Sequence, residues 1–269
     1  MKNIIDFNYE NLSVAAFDLD DTLTVNGQLP SEVVLGLENL QKKNITTVLV
    51  TGRGAGWADA IIKLLPFDAV VAENGSVLFY WQNKKAQRKL REEPKKKYWQ
   101  KGNVYSLKPP SNLNEKRDQL SKVILSAYPR AKIASDQPYR IYDLAIDFAE
   151  EVDPPLPMED IHGIKKLFVD NGATAKISSI HVNGWWGDFT KVNGLKFILE
   201  NIFTKDIKND VVYVGDSPND GPLFGAAGVS VGVANVNDFV GKVDFPLPKY
   251  ITKKHGGDGA LEVIKKLLG

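Results

Sequence analysis

Two aspartates separated by one residue, Asp18 and Asp20, close an apolar run that reads Val14-Ala15-Ala16-Phe17. In extended backbone, residues two apart point the same way, so both carboxylates can face one ligand. Two anions held that close require a cation. Taken alone, Asp20-Asp21-Thr22 reads more readily as the cap of a turn or helix. The rest of the chain changes that balance. A second polar group follows an apolar run at Thr51-Gly52-Arg53, and a third follows Val211 to Val214 at Gly215-Asp216-Ser217-Pro218-Asn219-Asp220. Carboxylates after two separate strands, brought together, make a hard-cation site; few oxygen ligands with room for water and phosphate point to Mg2+. An EF-hand fails, because with Asp18 in its first position Leu23 stands where Gly is needed and Leu29 where the bidentate Glu is needed. The run Gly52-Arg53-Gly54-Ala55-Gly56-Trp57 approximates a dinucleotide loop, but Trp57 replaces the third glycine and the loop follows the second strand, not the first. Its useful feature is a hydroxyl and backbone N–H groups at Thr51, Gly52 and Arg53 just ahead of a helix, where anions are stabilised. Lys191, near the start of a later helix, can add a point charge to the same phosphate.

The elements that must position these groups follow from periodicity. Val25-Asn26-Gly27 marks a small hairpin after the first strand. Pro30-Ser31 then opens a helix with Val33, Val34, Leu37 and Leu40 on one face. Ile45 to Val50 and Asp68 to Ala72 are further strands with a helical stretch between them, the second ending in Glu73-Asn74-Gly75. Strand, helix, strand, helix, strand predicts an α/β fold with a doubly wound parallel sheet. The pattern changes after the strand Ser76 to Trp81. A helix with Leu120, Val123, Ile124 and Ala127 inward, a strand Ile141 to Phe148, a helix through Ile161, Ile164, Leu167 and Phe168, and a strand Ala175 to Val182 predict an α+β unit inserted at about 82–183. The sheet pattern then resumes with a helix from Thr190, strands at Val211 and Val229, and a last helix from Gly259. The core is therefore expected to be discontinuous, 1–81 and 184–269.

Composition narrows the classes. Lys plus Arg is 34 against 33 Asp plus Glu, so no global charge favours nucleic acid or an anionic membrane. The segment 84–101 holds nine basic and two acidic residues, but only Tyr98 and Trp99 are aromatic, and a solvated face fits it better than a nucleic-acid site. No cysteine is present, which excludes disulfides and thiolate chemistry and suits a cytoplasmic home. His162, His181 and His255 are scattered, so a His-rich metal site is excluded. No apolar run approaches the roughly 18 residues of a membrane span.

In order along the chain, Asp18-Leu19-Asp20-Asp21-Thr22, Thr51, a lysine before a helix, and Gly215-Asp216-Ser217-Pro218-Asn219-Asp220 resemble the four motifs of the haloacid dehalogenase-like hydrolases. An insertion between the second and third motifs resembles the members with a type 2 cap, the sugar-phosphatase branch called IIB. The resemblance implies a Rossmann-like core with a cap that sets substrate choice, and a Mg2+-dependent phosphatase acting on a small phosphomonoester, a sugar phosphate by branch. It implies Asp18 as nucleophile, Asp20 as general acid/base, and Thr51 and Asn219 as phosphate ligands. Lys191 would neutralise the phosphate, with Lys196 and Lys176 as alternatives for the third motif. Asp18, the Asp20 carbonyl and Asp216 would hold Mg2+. Glu73-Asn74-Gly75 resembles a segment near the cap hinge, which makes Asn74 a substrate-side candidate. Around the hinge, Trp185 and Trp186 either meet a sugar or pack. A phosphosugar mutase on the same core, a nucleic-acid-binding protein using 84–101 and a non-catalytic, metal-stabilised protein are the rival readings.

Overall fold

The computed structural model describes residues 1–6, 12–80, 98–101 and 104–269; the basic residues 84–97 and the expected boundary at 81–82 lie outside them. In chain order come β1 (Lys2–Asn3), β2 (Val14–Phe17), α1 (Ser31–Lys42), β3 (Thr46–Val50), α2 (Ala55–Leu64), β4 (Ala69–Ala72) and β5 (Val77–Tyr80). Then follow β6 (Tyr98–Lys101), β7 (Val104–Leu107), α3 (Leu113–Ala127), β8 (Lys132–Ile133), β9 (Leu144–Asp147), α4 (Met158–Asp170), β10 (Thr174–Ile177) and β11 (His181–Trp185). The chain closes with α5 (Lys191–Ile198), β12 (Val211–Gly215), α6 (Gly221–Ala226), β13 (Val229–Gly232), β14 (Tyr250–Ile251) and α7 (Gly256–Leu268).

The large sheet has the order β1-β14-β13-β12-β2-β3-β4-β5-β7-β6. It is parallel from β1 to β4 and antiparallel beyond. The period-2 alternation of its strands explains why β2 is buried throughout: Ala15 and Phe17 pack with Leu37 and Leu40 of α1 and Val263 of α7, while Val14 and Ala16 join Leu195 and Ile198 of α5 on the other face. Burying each such aliphatic side chain contributes about 1.5–3 kcal/mol. Because β2 pairs with β3 on one side and β12 on the other, a crevice opens beyond its carboxyl end.

A second, antiparallel sheet has the order β10-β11-β9-β8, with Ile124 of α3 and Ile161, Ile164 and Phe168 of α4 buried against it. Three local expectations change. Tyr98–Lys101 and Val104–Leu107, expected in the inserted unit, extend the large sheet beside β5. The strand expected over Ala175 to Val182 is a hairpin, β10 and β11, turning at Ser178–Ile180. In α3, Val123 and Ala127 face solvent, and Leu113, Leu120, Ser121 and Ile124 form the buried face. Among the described residues no helix is long and apolar enough to cross a membrane.

Candidate active site

Four strand ends, those of β2, β3, β4 and β12, deliver the polar groups. Asp18 follows β2, and its N–H donates to Val214 O at 2.9 Å, which ties it to β12. Lys191 Nζ donates to Asp18 Oδ1 at 2.7 Å and to Asp220 Oδ1 at 3.0 Å, so of the three candidate lysines Lys191 is the one drawn to the carboxylates; Lys196 is exposed. Two glycines allow this placement. Gly75, at φ 104°, lies so close to Thr190 that a Cβ there would stand 2.2 Å from the Thr190 carbonyl oxygen. A Cβ on Gly194 would meet Val71 Cγ1 at 2.7 Å. Helix α5 can therefore press its first turn against the ends of the strands, with Thr190 capping it by accepting the Asn193 N–H.

Asp18, Asp216 and Asp220 are buried, and a carboxylate oxygen from each lies within 4.8 Å of the others. Asp220 is fully engaged: Tyr213 OH donates to Oδ1 at 2.6 Å, and the N–H groups of Asp216 and Ser217 donate to Oδ2 at 3.0 and 3.3 Å. Asp216 Oδ1 accepts from Thr22 Oγ1 at 3.1 Å. Among the described residues no hydrogen bond reaches Asp18 Oδ2 or Asp216 Oδ2. Burial pushes Asp18 up to about 8 against the pull of Lys191, and burial followed by Asp220 and Asp18 pushes Asp216 well above the carboxylate range. Burial alone would lower Lys191, but Asp18 and Asp220 together hold it above its ordinary value. An all-oxygen donor set with two open carboxylate oxygens and excess negative charge fits a hard divalent cation.

Asp20 is turned differently. Its carboxylate takes a forked pair from Arg53, Nε to Oδ2 at 3.0 Å and Nη2 to Oδ1 at 2.9 Å. Arg53 Nη1 reaches across to Glu150 Oε1 at 2.8 Å, and His181 Nε2 lies 3.0 Å from Glu150 Oε2. The cleft is lined by Asp18, Asp20, Gly52, Arg53, Lys191, Asp216 and Asn219 from the core side and by Ser178 to His181 and Asn183 from the hairpin; its free volume is about 20 Å³, one or two water-sized spaces. Thr51 and Asn74 are buried and do not line it. The Thr51 hydroxyl accepts the Arg53 N–H at 3.0 Å. Trp185, stacked on Phe189 with ring centroids 5.5 Å apart, packs and also stays out of the cleft.

Behind the cleft lies a network that local sequence patterns do not reveal. Glu73, fully buried, accepts the N–H groups of Ala55 and Ile141 on Oε1 and those of Tyr142 and Asp143 on Oε2, at 2.6–3.1 Å. Glu73, Asn74 and Gly75 all have positive φ. Such backbone costs about 1–3 kcal/mol for each non-glycine residue, which the four amide donors offset. Arg140 donates to Asp136, Asp143 and the Gly52 carbonyl, and Asn74 and Asn183 both donate to Asp143. The loop bearing Gly52 and Arg53 is thus held from the segment 136–143.

A doubly wound core whose strand ends gather a lysine and three aspartates is the arrangement of a particular hydrolase class. A family model described as haloacid dehalogenase-like hydrolase matches residues 15–102 and 101–264, and the chain belongs to that family. It is 25% identical over 264 residues to a protein named phosphoglycolate phosphatase from Methanobrevibacter smithii, covering 96% of this chain and 99% of the relative. The fold is similar to a crystal structure from Thermoplasma acidophilum, with a TM-score of 0.70 at 18% identity, covering 96% of this chain and 99% of that one. It also matches a HAD subclass IIB sugar phosphatase, with a TM-score of 0.62 at 13% identity over 94% of this chain and 98% of that one.

Proposed function

We propose that this chain is a Mg2+-dependent phosphatase that hydrolyses a small phosphomonoester through an aspartyl phosphate on Asp18. The observation that carries the reading is the pairing of Asp18 with Lys191 beside Asp216 and Asp220 at the crevice of the parallel sheet. Asp18, Asp216 and the Asp20 carbonyl would hold Mg2+, which when bound supplies positive charge against both nucleophile and phosphate. Lys191, bonded to Asp18 and Asp220, would screen the same charges. An Asp18 carboxylate oxygen attacks phosphorus, the bond from phosphorus to the leaving oxygen breaks, and Asp20 gives that oxygen its proton. Water then attacks phosphorus, Asp20 takes a proton from it, and the bond to Asp18 breaks. Asn219 and the Gly52 N–H, in the loop between Thr51 and Arg53, would contact the phosphate. Arg53, paired with Asp20, would first orient the acid/base group.

The unit built on the four-stranded sheet would act as the cap that selects substrate, since it supplies Ser178 to His181 and Asn183 to the cleft. A short leaving group is favoured by relatives named phosphoglycolate phosphatase. A sugar phosphate is the second reading, favoured by the fold shared with a IIB sugar phosphatase. The test is phosphate release from both ester types, expected with Mg2+ and lost on chelation. Asp20→Asn should slow it about 10²- to 10⁴-fold on alkyl esters and less on p-nitrophenyl phosphate, whose leaving group needs little protonation. Sugar phosphate isomerisation at a rate equal to release would favour the mutase, and metal-independent retention of labelled RNA without turnover would favour the nucleic-acid reading.

A further inference from the structure

We infer that Arg53 and His181 form a subsite for a carboxylate on the leaving group, and that Glu150 occupies it until substrate arrives. This rests on the phosphatase reading and assigns its substrate class, the phosphate ester of a short hydroxy acid.

His181 opens β11, is 2% exposed and lines the same cleft as Asp18 and Asp20. Its Nε2 is buried without an aligned hydrogen-bond partner, although Glu150 Oε2 is only 3.0 Å away. A buried polar nitrogen left so is costly, and this one stands at a cleft where a ligand oxygen can complete it. Arg53 lines the cleft from the opposite, core side. The two side chains already accommodate one carboxylate between them, with Oε1 of Glu150 on Arg53 and Oε2 toward His181. The spacing therefore suits a carboxylate.

Glu150 is the replaceable member of the trio. Its side chain is 30% exposed, against 9% for Arg53 and 3% for His181. Its backbone is fixed independently, because the N–H groups of Ala149, Glu150 and Glu151 all donate to the Asp147 carboxylate at 2.8–2.9 Å. The side chain can swing to water while the turn stays in place. The adjacent His181 side chain, followed by the Arg53 charge, holds the Glu150 carboxyl down at about 2, so the group that leaves is an anion and an anion must take its place. A leaving-group carboxylate makes that exchange charge for charge. A neutral alcohol offers no charge to exchange and leaves Glu150 where it is.

The experiment compares kcat/KM for 2-phosphoglycolate and for 2-hydroxyethyl phosphate, which has the same length but a neutral alcohol in place of the carboxylate. Wild type, His181→Gln, His181→Asn and Glu150→Gln are measured with Mg2+, and thermal melts check that each variant is folded. Wild type is expected to prefer phosphoglycolate by about tenfold or more, the scale of one ion pair. Both His181 variants should cut that preference by about tenfold, mainly through KM. Glu150→Gln should lower KM for phosphoglycolate, since the competing anion is gone. A preference unchanged by both His181 variants, or absent in wild type, overturns the subsite while leaving the phosphatase reading intact. Hydrolysis of neither ester overturns the phosphatase reading itself.

Discussion

Two buried clusters in this protein each set three carboxylates against one cation, and they differ in what satisfies the oxygens. In the junction cluster, Glu73, Asp136 and Asp143 surround Arg140, and four backbone amides, two asparagines and the guanidinium supply the donors. In the cleft cluster, Asp18, Asp216 and Asp220 surround Lys191, and donors saturate only Asp220. Formal charge is the same in both. The first is closed by its own chain, whereas the second keeps open oxygens on a cleft. Charge count alone therefore does not separate the two clusters; the source of the donors does, and it is the ground for proposing the second as the site.

The comparison can be broken from either side. The largest expected effect is that of Asp216→Asn, which removes a charge and an open oxygen: turnover should fall by roughly 10³-fold, in line with the several kcal/mol a bound metal contributes. Thermal melts should show that Mg2+ no longer stabilises the variant, although its metal-free fold persists. Arg140→Leu should do the opposite. Removing the cation of a buried network costs about 3–5 kcal/mol, so denaturant midpoints should drop while Mg2+ still raises the melting temperature. Equal loss of the Mg2+ response in both variants would erase the distinction.

The smallest effect concerns pH. Burial and the Asp143 charge push Glu73 up from 4.5 to about 7, against Arg140 and the amides. A raised carboxyl pKa means that the folded protein binds the proton more tightly than the unfolded chain. The stability carried by Glu73 should therefore fall as pH rises through that window and level off above it. Glu73→Ala, though destabilised at all pH values, should show a flatter decline there. An identical slope would mean that Glu73 is ionised throughout.

How much of this was legible depended on distance along the chain. The end of β2, the Asn26-Gly27 turn and the alternation of strand and helix are local patterns, and each stands where periodicity placed it. Lys191 was one of three candidates because what selects it, the close approach of Gly75 to Thr190, joins residues 115 positions apart. The hairpin at Ser178–Ile180 has no Gly, Pro or Asn to announce its turn, so the two strands read as one. The pairing of β7 with β5 and the amides that satisfy Glu73 are likewise non-local, the latter arriving from residues 141–143. Asp220 was visible in its motif, but its role as the second partner of Lys191 was not. Val123 turns to solvent, and Trp185 and Trp186 stood open between meeting a sugar and packing, because an apolar residue by itself does not say which face it takes.

The central claim is that Asp18 carries the phosphoryl group. Its most direct test is acid quench of wild type and Asp18→Asn during turnover of a radiolabelled phosphate ester with Mg2+. Label should be retained on wild-type protein, be released by hydroxylamine as an acyl phosphate, map to the peptide containing Asp18, and be absent from Asp18→Asn. Turnover without protein-bound label at any quench time, or label that persists in Asp18→Asn, would contradict the account.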